Sequence, residues 1–182
     1  MPKITINDEI VGAAAGDNLL MLARRRALHI WFACDGRGLC RTCECRVVSG
    51  AENLSRPSTI ELDALSDSRR DDGYRLACQT RVAGDGAAGV ISVAEEIRRQ
   101  TTALVKVPEG GSWIANAGEL AGNLARLALD FTRTLPSTAL HAFPQMIANP
   151  PDIAGMQRYL RDTGRVVERV LKDARTLGDV AK

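Results

Sequence analysis

Apolar and polar residues alternate over residues 3–6 and 9–13, which predicts two strands. Asn7-Asp8 between them has the chemistry of a two-residue hairpin turn. The period then changes to that of a helix. Gly16-Asp17-Asn18 opens it, with Asp17 or Asn18 as N-cap, and it runs to about Ala27. Leu19, Leu22 and Ala23 face inward with Met21 beside them, and Arg24-Arg25-Arg26 close the last turn. Cations there suit the helix dipole, and a partner-binding patch is the rival reading. Ile30-Trp31-Phe32-Ala33 forms an apolar approach to the next segment. Alternation returns in Glu44–Ser49, with Cys45 and Val47 on one face and Arg46 and Val48 on the other. Ser58 to Asp67 reads as a short helix with a Ser58/Glu61 capping box and a buried side of Leu62 and Leu65. A strand follows Cys78 within Arg75–Val82, Gly84-Asp85-Gly86 turns, and Gly89–Ala94 gives the last strand.

The second half is helical in pattern. Residues 97–111, with Pro108 and Gly110-Gly111, read as a linker. Ser112 caps a helix that reaches Leu135 and stops at Pro136, with Trp113, Ala117, Leu120, Leu124, Leu127 and Phe131 as a narrow apolar seam. Residues 137–151 form an irregular or helical connector. A second helix runs from Asp152 to about Leu177 with Met156, Leu160, Val167, Val170, Ala174 and Leu177 as its seam. Arg158, Arg165 and Lys172 stand seven apart opposite that seam, beside Arg161, Arg169 and Arg175. The pattern predicts a hairpin-like helical extension over residues 112–182. Residues 112–178 would pack on themselves or on the first half, or mediate homo-oligomerisation or attachment to a larger assembly. Attachment to a membrane surface is disfavoured, because the basic residues sit opposite the apolar stripe rather than flanking it.

Composition narrows the function classes. The chain has 182 residues, 45% hydrophobic and 25% charged, as in ordinary globular proteins. A net charge of +2 and 4% aromatic content argue against a nucleic-acid surface. The start Met-Pro-Lys-Ile-Thr-Ile lacks the features of a secretion signal, and no apolar run is long enough to span a bilayer. The expected compartment is therefore the cytoplasm, with association to a membrane or large assembly left open. No nucleophile, phosphate-loop, flavin or nicotinamide motif is present. His29 and His141 fall in no ligand pattern and read as structural.

The candidate chemistry lies in Cys34-Asp-Gly-Arg-Gly-Leu-Cys-Arg-Thr-Cys-Glu-Cys45. Cys34, Cys40 and Cys43 have spacing C-x5-C-x2-C, and Cys78 follows in Tyr74-Arg-Leu-Ala-Cys-Gln. Three thiolates on one tight loop closed by a distant fourth is how a [2Fe–2S] cluster is held. Gly36 and Gly38 can adopt positive φ and bring backbone N–H groups close to a cluster. Arg37, Leu39 and Arg41 share that loop, and Thr42 offers a side-chain donor. Structural zinc is the rival, though its sites usually pair two C-x2-C knuckles. Disulfides suit neither five cysteines nor a reducing compartment. Cys45 reads as a small buried hydrophobe, and as a replacement ligand in the sharper reading.

The order of elements and the cysteine spacing resemble the β-grasp [2Fe–2S] ferredoxins over about residues 3–94, and the five-residue first gap resembles the adrenodoxin branch. The resemblance implies an α+β fold: a ferredoxin-like domain over residues 1–96, followed by the linker and the helical extension. It also implies ligands Cys34, Cys40, Cys43 and Cys78, and one-electron transfer between a reductase and an acceptor. Glu61, Asp63, Asp67, Asp71 and Asp72 occupy the region that docks redox partners in adrenodoxin-like proteins. Gly38-Leu-Cys-Arg-Thr-Cys, Leu54-Ser55, Leu65-Ser66 and Arg75-Leu-Ala-Cys-Gln-Thr are also similar to ferredoxin-like proteins of the chlorosome envelope, which carry a C-terminal extension. Asp35 stands where glycine is common in both groups. The function expected is electron carriage rather than catalysis. The alternatives are a redox-active structural component of a larger assembly and a role in cluster assembly.

Overall fold

The computed structural model describes residues 2–105, 112–148 and 153–179. Strands β1 (Lys3–Ile6) and β2 (Glu9–Gly12) form the expected hairpin. Asn7 and Asp8 both take positive φ, 52° and 67°, which matches the twist of a tight antiparallel turn. Helix α1 (Leu19–Arg25) starts at Asn18, whose side chain accepts the Met21 N–H. Strand β3 is Glu44–Ser49, β4 is Tyr74–Leu76 and β5 is Ala87–Ser92. The sheet order is β2-β1-β5-β3-β4, with β1 and β5 parallel and the other pairs antiparallel. This is an α+β fold in which a mixed sheet grasps α1, the β-grasp topology. Ile4, Ile6, Leu19, Leu20, Leu22, Ile30, Leu65, Leu76 and Val82 are almost wholly buried in its core.

Several local expectations change. The helix expected over Ser58–Asp67 is two helices, α2 (Thr59–Ala64) and α3 (Asp67–Asp71), because Ser66 caps a new start. The Ser58/Glu61 capping box is present. Leu65 is buried as expected, but Leu62 faces solvent and Ala64 takes the inner side. The last strand ends at Ser92 rather than Ala94. Ser92 Oγ accepts the Glu95 N–H and starts helix α4 (Val93–Val105), which occupies the first part of the stretch expected to be a linker. Residues 106–111 lie outside the described residues.

Helix α5 (Trp113–Ala148) does not stop before Pro136; it passes through both Pro136 and Pro144. Proline in a helix interior costs about 3 kcal/mol and does not forbid the helix. Helix α6 (Ile153–Asp179) follows. The two long helices meet the sheet unit in different places. Helix α5 lies against α4 and α2, with Asn116 Nδ2 donating to the Ala103 carbonyl at 2.8 Å. Helix α6 meets α1 through side chains, Asp162 with Arg24 and Arg165 with the Arg25 carbonyl. Val166 is 1% exposed within the main core, and Tyr159 and Val170 pack against it. The inner face of α6 is thus Tyr159, Asp162, Val166 and Val170. Met156, Leu160 and Val167 of the expected seam are exposed. On α5, Trp113, Leu124 and Phe131 of the expected seam are likewise exposed. The side chain of Leu177 lies outside the described residues.

Candidate metal centre

The segment between Phe32 and Cys43 is a loop with backbone turned repeatedly into the left-handed region: Asp35 (φ 53°), Gly36 (82°), Gly38 (76°) and Arg41 (58°). These turns fold the loop back on itself. The Leu39 N–H donates to Cys34 Sγ at 3.4 Å and the Cys34 N–H to Cys40 Sγ at 3.2 Å. Thr42 Oγ1 lies 3.0 Å from Cys40 Sγ and accepts the Ala33 N–H. Arg37 Nε donates to the Cys34 carbonyl at 2.9 Å. Gln79 Nε2 donates to Cys78 Sγ at 3.4 Å. Cys34, Cys43 and Cys78 are buried, and Cys40 is half-buried at the loop surface.

The four thiols stand as two pairs. The Cys40 thiol and the N–H groups of Leu39, Cys40 and Arg37 hold the Cys34 thiol down to about 5 against its burial. The Cys43 thiol likewise lowers Cys78, with Gln79 and the Gly38 N–H adding to it. Cys40 is pushed up by the Cys34 thiol and Cys43 by the Cys78 thiol, each with burial acting in the same direction. Among the described residues, no three His, Cys, Asp or Glu side chains gather as ligands of one ion. Two thiol pairs, each with N–H donors, suit a two-iron centre better than one tetrahedral zinc. Cys45 is 1% exposed in the core of β3, and burial pushes its thiol far up.

The apolar approach to the loop is partly as expected. Ile30 and Phe32 are buried, but Trp31 is 42% exposed. His29 is tied to Glu95, Nδ1 to Oε2 at 3.2 Å, and the side chain of His141 lies outside the described residues.

The acidic residues divide. Glu61 is fully buried, not on a docking face. It accepts from Arg75 Nε and the Leu76 N–H at 2.9 Å, from Arg75 Nη2 at 3.1 Å and from Thr80 Oγ1 at 3.3 Å. Burial raises its pKa, but the Arg75 guanidinium and the Ser58 and Leu76 N–H groups outweigh that and leave it below the ordinary value. It therefore fixes the chain on both sides of Cys78. Asp67, Asp71 and Asp72 are exposed, and Asp63 is half-buried. Asp67 pairs with Arg70.

Sequence reasoning missed two buried charge systems that reach the loop. Arg24 is 8% exposed, neither a free dipole partner nor a surface patch. It bridges Asp35 at 2.6 Å and Asp162 of α6 at 2.9 Å, and lies 4.6 Å over the Phe32 ring. Phe32 meets Tyr159 edge to face at 5.6 Å. The Arg41 side chain turns away from the thiols. It donates to Thr134 Oγ1 of α5 at 2.6 Å, to Glu44 Oε2 at 3.2 Å and to Asp130 Oδ2. Arg69 Nε donates to the other Glu44 oxygen at 2.5 Å. Asp130 is pushed up by burial but held below its ordinary pKa by Ser66 and Arg41.

The family model for the 2Fe-2S iron-sulfur cluster binding domain matches residues 4–83. The 2Fe-2S ferredoxin-5 of Aquifex aeolicus is 33% identical over 90 residues, covering 47% of this chain and 93% of that protein. Chlorosome protein J of Chlorobaculum tepidum is 41% identical over 96 residues, covering 53% of this chain and 43% of that protein. The chain thus matches less than half the length of that relative. Among solved structures, the ISC-like [2Fe-2S] ferredoxin of Pseudomonas putida is 28% identical with a TM-score of 0.42, covering 50% of this chain and 91% of that one.

Proposed function

The chain belongs to the [2Fe–2S] ferredoxin family, and from that premise we propose that it is a one-electron carrier whose cluster is held by Cys34, Cys40, Cys43 and Cys78. The single observation behind this reading is the pairing of Cys34 with Cys40 and of Cys43 with Cys78 inside one shell of N–H donors. Bound there, the cluster supplies reversible one-electron chemistry. The residues supply the rest. The N–H groups of Arg37, Gly38 and Leu39 stabilise charge on the sulfurs. Ile30, Phe32 and Leu20 keep water from the inner side, and Cys40 at the surface gives a short path to a partner.

The surface beside the loop supports a particular kind of partner. A cavity of about 360 Å³ between α1 and α6 is lined by Arg25, Arg158, Arg161 and Arg165, around the bridge of Arg24 with Asp35 and Asp162. This basic flank fits an acidic partner face. The exposed Asp67, Asp71 and Asp72, with Asp63 beside them, offer a second, acidic docking face on α2 and α3. The two long helices belong to the carrier as a covering of its cluster loop.

The test is anaerobic electron transfer from a ferredoxin reductase through this protein to a one-electron acceptor. Each Cys→Ser replacement at the four ligand positions is expected to abolish transfer, whereas Cys45→Ser leaves it intact. Transfer that survives loss of Cys34 or Cys78 would overturn the ligand set.

One observation favours a second reading, a redox-active component of a larger assembly. Trp113, Ile114 and Leu124 on α5, and Met156, Leu160 and Leu171 on α6, expose large apolar side chains, and the similarity to chlorosome protein J lies in the same chain. Recovery of a discrete monomer at high concentration would count against it.

A further inference from the structure

Two positions of the cluster loop hold left-handed backbone on residues that are not glycine: Asp35 at φ 53°, a residue type that tolerates it, and Arg41 at φ 58°, one that does not. Side chains with a Cβ disfavour this region, and such conformations persist where surrounding structure over-determines them. At both positions the surrounding structure is a C-terminal helix. Arg41 is gripped directly from α5 by Asp130 and Thr134. Asp35 is gripped from α6 through Arg24, which Asp162 holds with its Oδ2 3.0 Å from Nε and 2.9 Å from Nη2. Asp130, Thr134, Asp162, Arg24 and Arg41 are all more than nine-tenths buried. The two grips lie on opposite flanks: Asp35 follows the first thiol of the loop, and Arg41 stands between the second and the third.

Further contacts fix each grip. Phe131 lies 5.9 Å from the Arg41 guanidinium. Glu44 of β3 is shared by Arg41 and Arg69, so the loop and α3 meet at one carboxylate, and α5 joins them through Arg41. On the other flank, Arg165 and Arg169 of α6 donate to the Arg25 and Arg26 carbonyls at 3.1 and 2.7 Å, capping the open C-terminal end of α1. Arg169 also pairs with Glu9 on β2 at 2.6 Å.

We propose that α5 and α6 form a two-sided clamp that holds the cluster loop in its strained, ligand-presenting conformation, with Asp130 and Asp162 as the positioning residues. The inference rests on the [2Fe–2S] reading above. In metal sites the groups that orient ligands matter because they fix geometry before the metal arrives, and their loss typically weakens metal holding 10–100-fold. The clamp therefore governs how long the cluster stays in the chain and how its thiolates are presented, although neither helix supplies a ligand.

The experiment uses the full chain with its cluster and the variants Asp130→Asn and Asp162→Asn, alone and together. Release is followed by loss of visible absorbance under a chelator challenge. The reduced EPR line shape and the midpoint potential are measured in parallel. Each single variant is expected to release the cluster about tenfold faster, with a displaced EPR line shape and unchanged far-UV circular dichroism. Asp130→Glu is expected to restore most of the lifetime. Should Asp130→Asn fail to fold, Thr134→Val removes the neighbouring acceptor and is expected to shift release in the same direction. Release rates within twofold of the parent in Asp162→Asn and in whichever α5 variant folds, with unchanged spectra, would overturn the clamp. A parent chain that binds no two-iron cluster would instead sink the functional reading itself.

Discussion

Glu61 separates a docking residue from a structural one. Its carboxylate is fully buried and accepts from Arg75, which is itself 9% exposed, and from the Leu76 N–H and Thr80 hydroxyl on either side of Cys78. Replacing it with alanine leaves the Arg75 guanidinium buried without its countercharge. Breaking a buried pair in this way costs about 3–5 kcal/mol, a large share of the 5–15 kcal/mol typical of a domain. For a chain of this size a loss of about 4 kcal/mol lowers the unfolding midpoint by roughly 10 °C. Glu61→Gln keeps the shape and part of the hydrogen bonding, and falls between. The assay is thermal unfolding of the cluster-loaded protein by circular dichroism, with binding to a ferredoxin reductase measured well below the transition. The expected result is a large drop in midpoint and unchanged affinity for the reductase. A midpoint within roughly 2 °C of the parent, together with weakened reductase binding, would refute the structural argument and return Glu61 to the docking face.

Three further expectations follow from the geometry. Glu61 has a folded pKa below its ordinary value, so its ionisation stabilises the fold at pH above the unfolded value near 4.3. That contribution fades as pH falls from there through the folded value. The gap in melting midpoint between the parent and Glu61→Gln should therefore be constant above pH 5 and shrink below pH 4. Cys45→Ala should retain about two irons per chain by elemental analysis, because its side chain is buried in the hydrophobic core. A Cβ added at Gly38 would stand 2.7 Å from Ile60 Cγ2 and 3.1 Å from Gln79 Nε2, at φ 76°. Gly38→Ala should thus strain the loop by about 1–2 kcal/mol, displace the Gln79 donor to Cys78 and shorten cluster lifetime; an unchanged lifetime would contradict this.

Short-range chemistry was readable in the sequence. Asn7-Asp8 takes two positive φ values because both residue types tolerate them. Asn18 and Ser58 cap their helices through their own side chains. The same signal stood unread at Ser92 and Glu95, where it ends the last strand and starts α4. What the pattern could not show were pairings between distant residues. Arg41 with Asp130 and Arg24 with Asp162 lie 89 and 138 positions apart, and no local periodicity encodes them. Glu61 looked like a surface acid because its partner Arg75 is 14 positions away on another element. The inner face of α6 includes Asp162, a charge that hydropathy assigns to solvent, so the apolar seam was drawn to one side of it: Val170 packs inward, whereas Met156, Leu160 and Val167 are exposed.

The most direct test of the account is a reductive EPR titration of the parent chain and of its Cys34, Cys40, Cys43 and Cys78→Ser variants. The parent should be silent when oxidised and develop about one S = 1/2 spin per chain on one-electron reduction, with about two irons bound. Each of the four variants should lose or displace that signal. A parent without iron, or a signal indifferent to Cys34 and Cys78, would contradict the account at its centre.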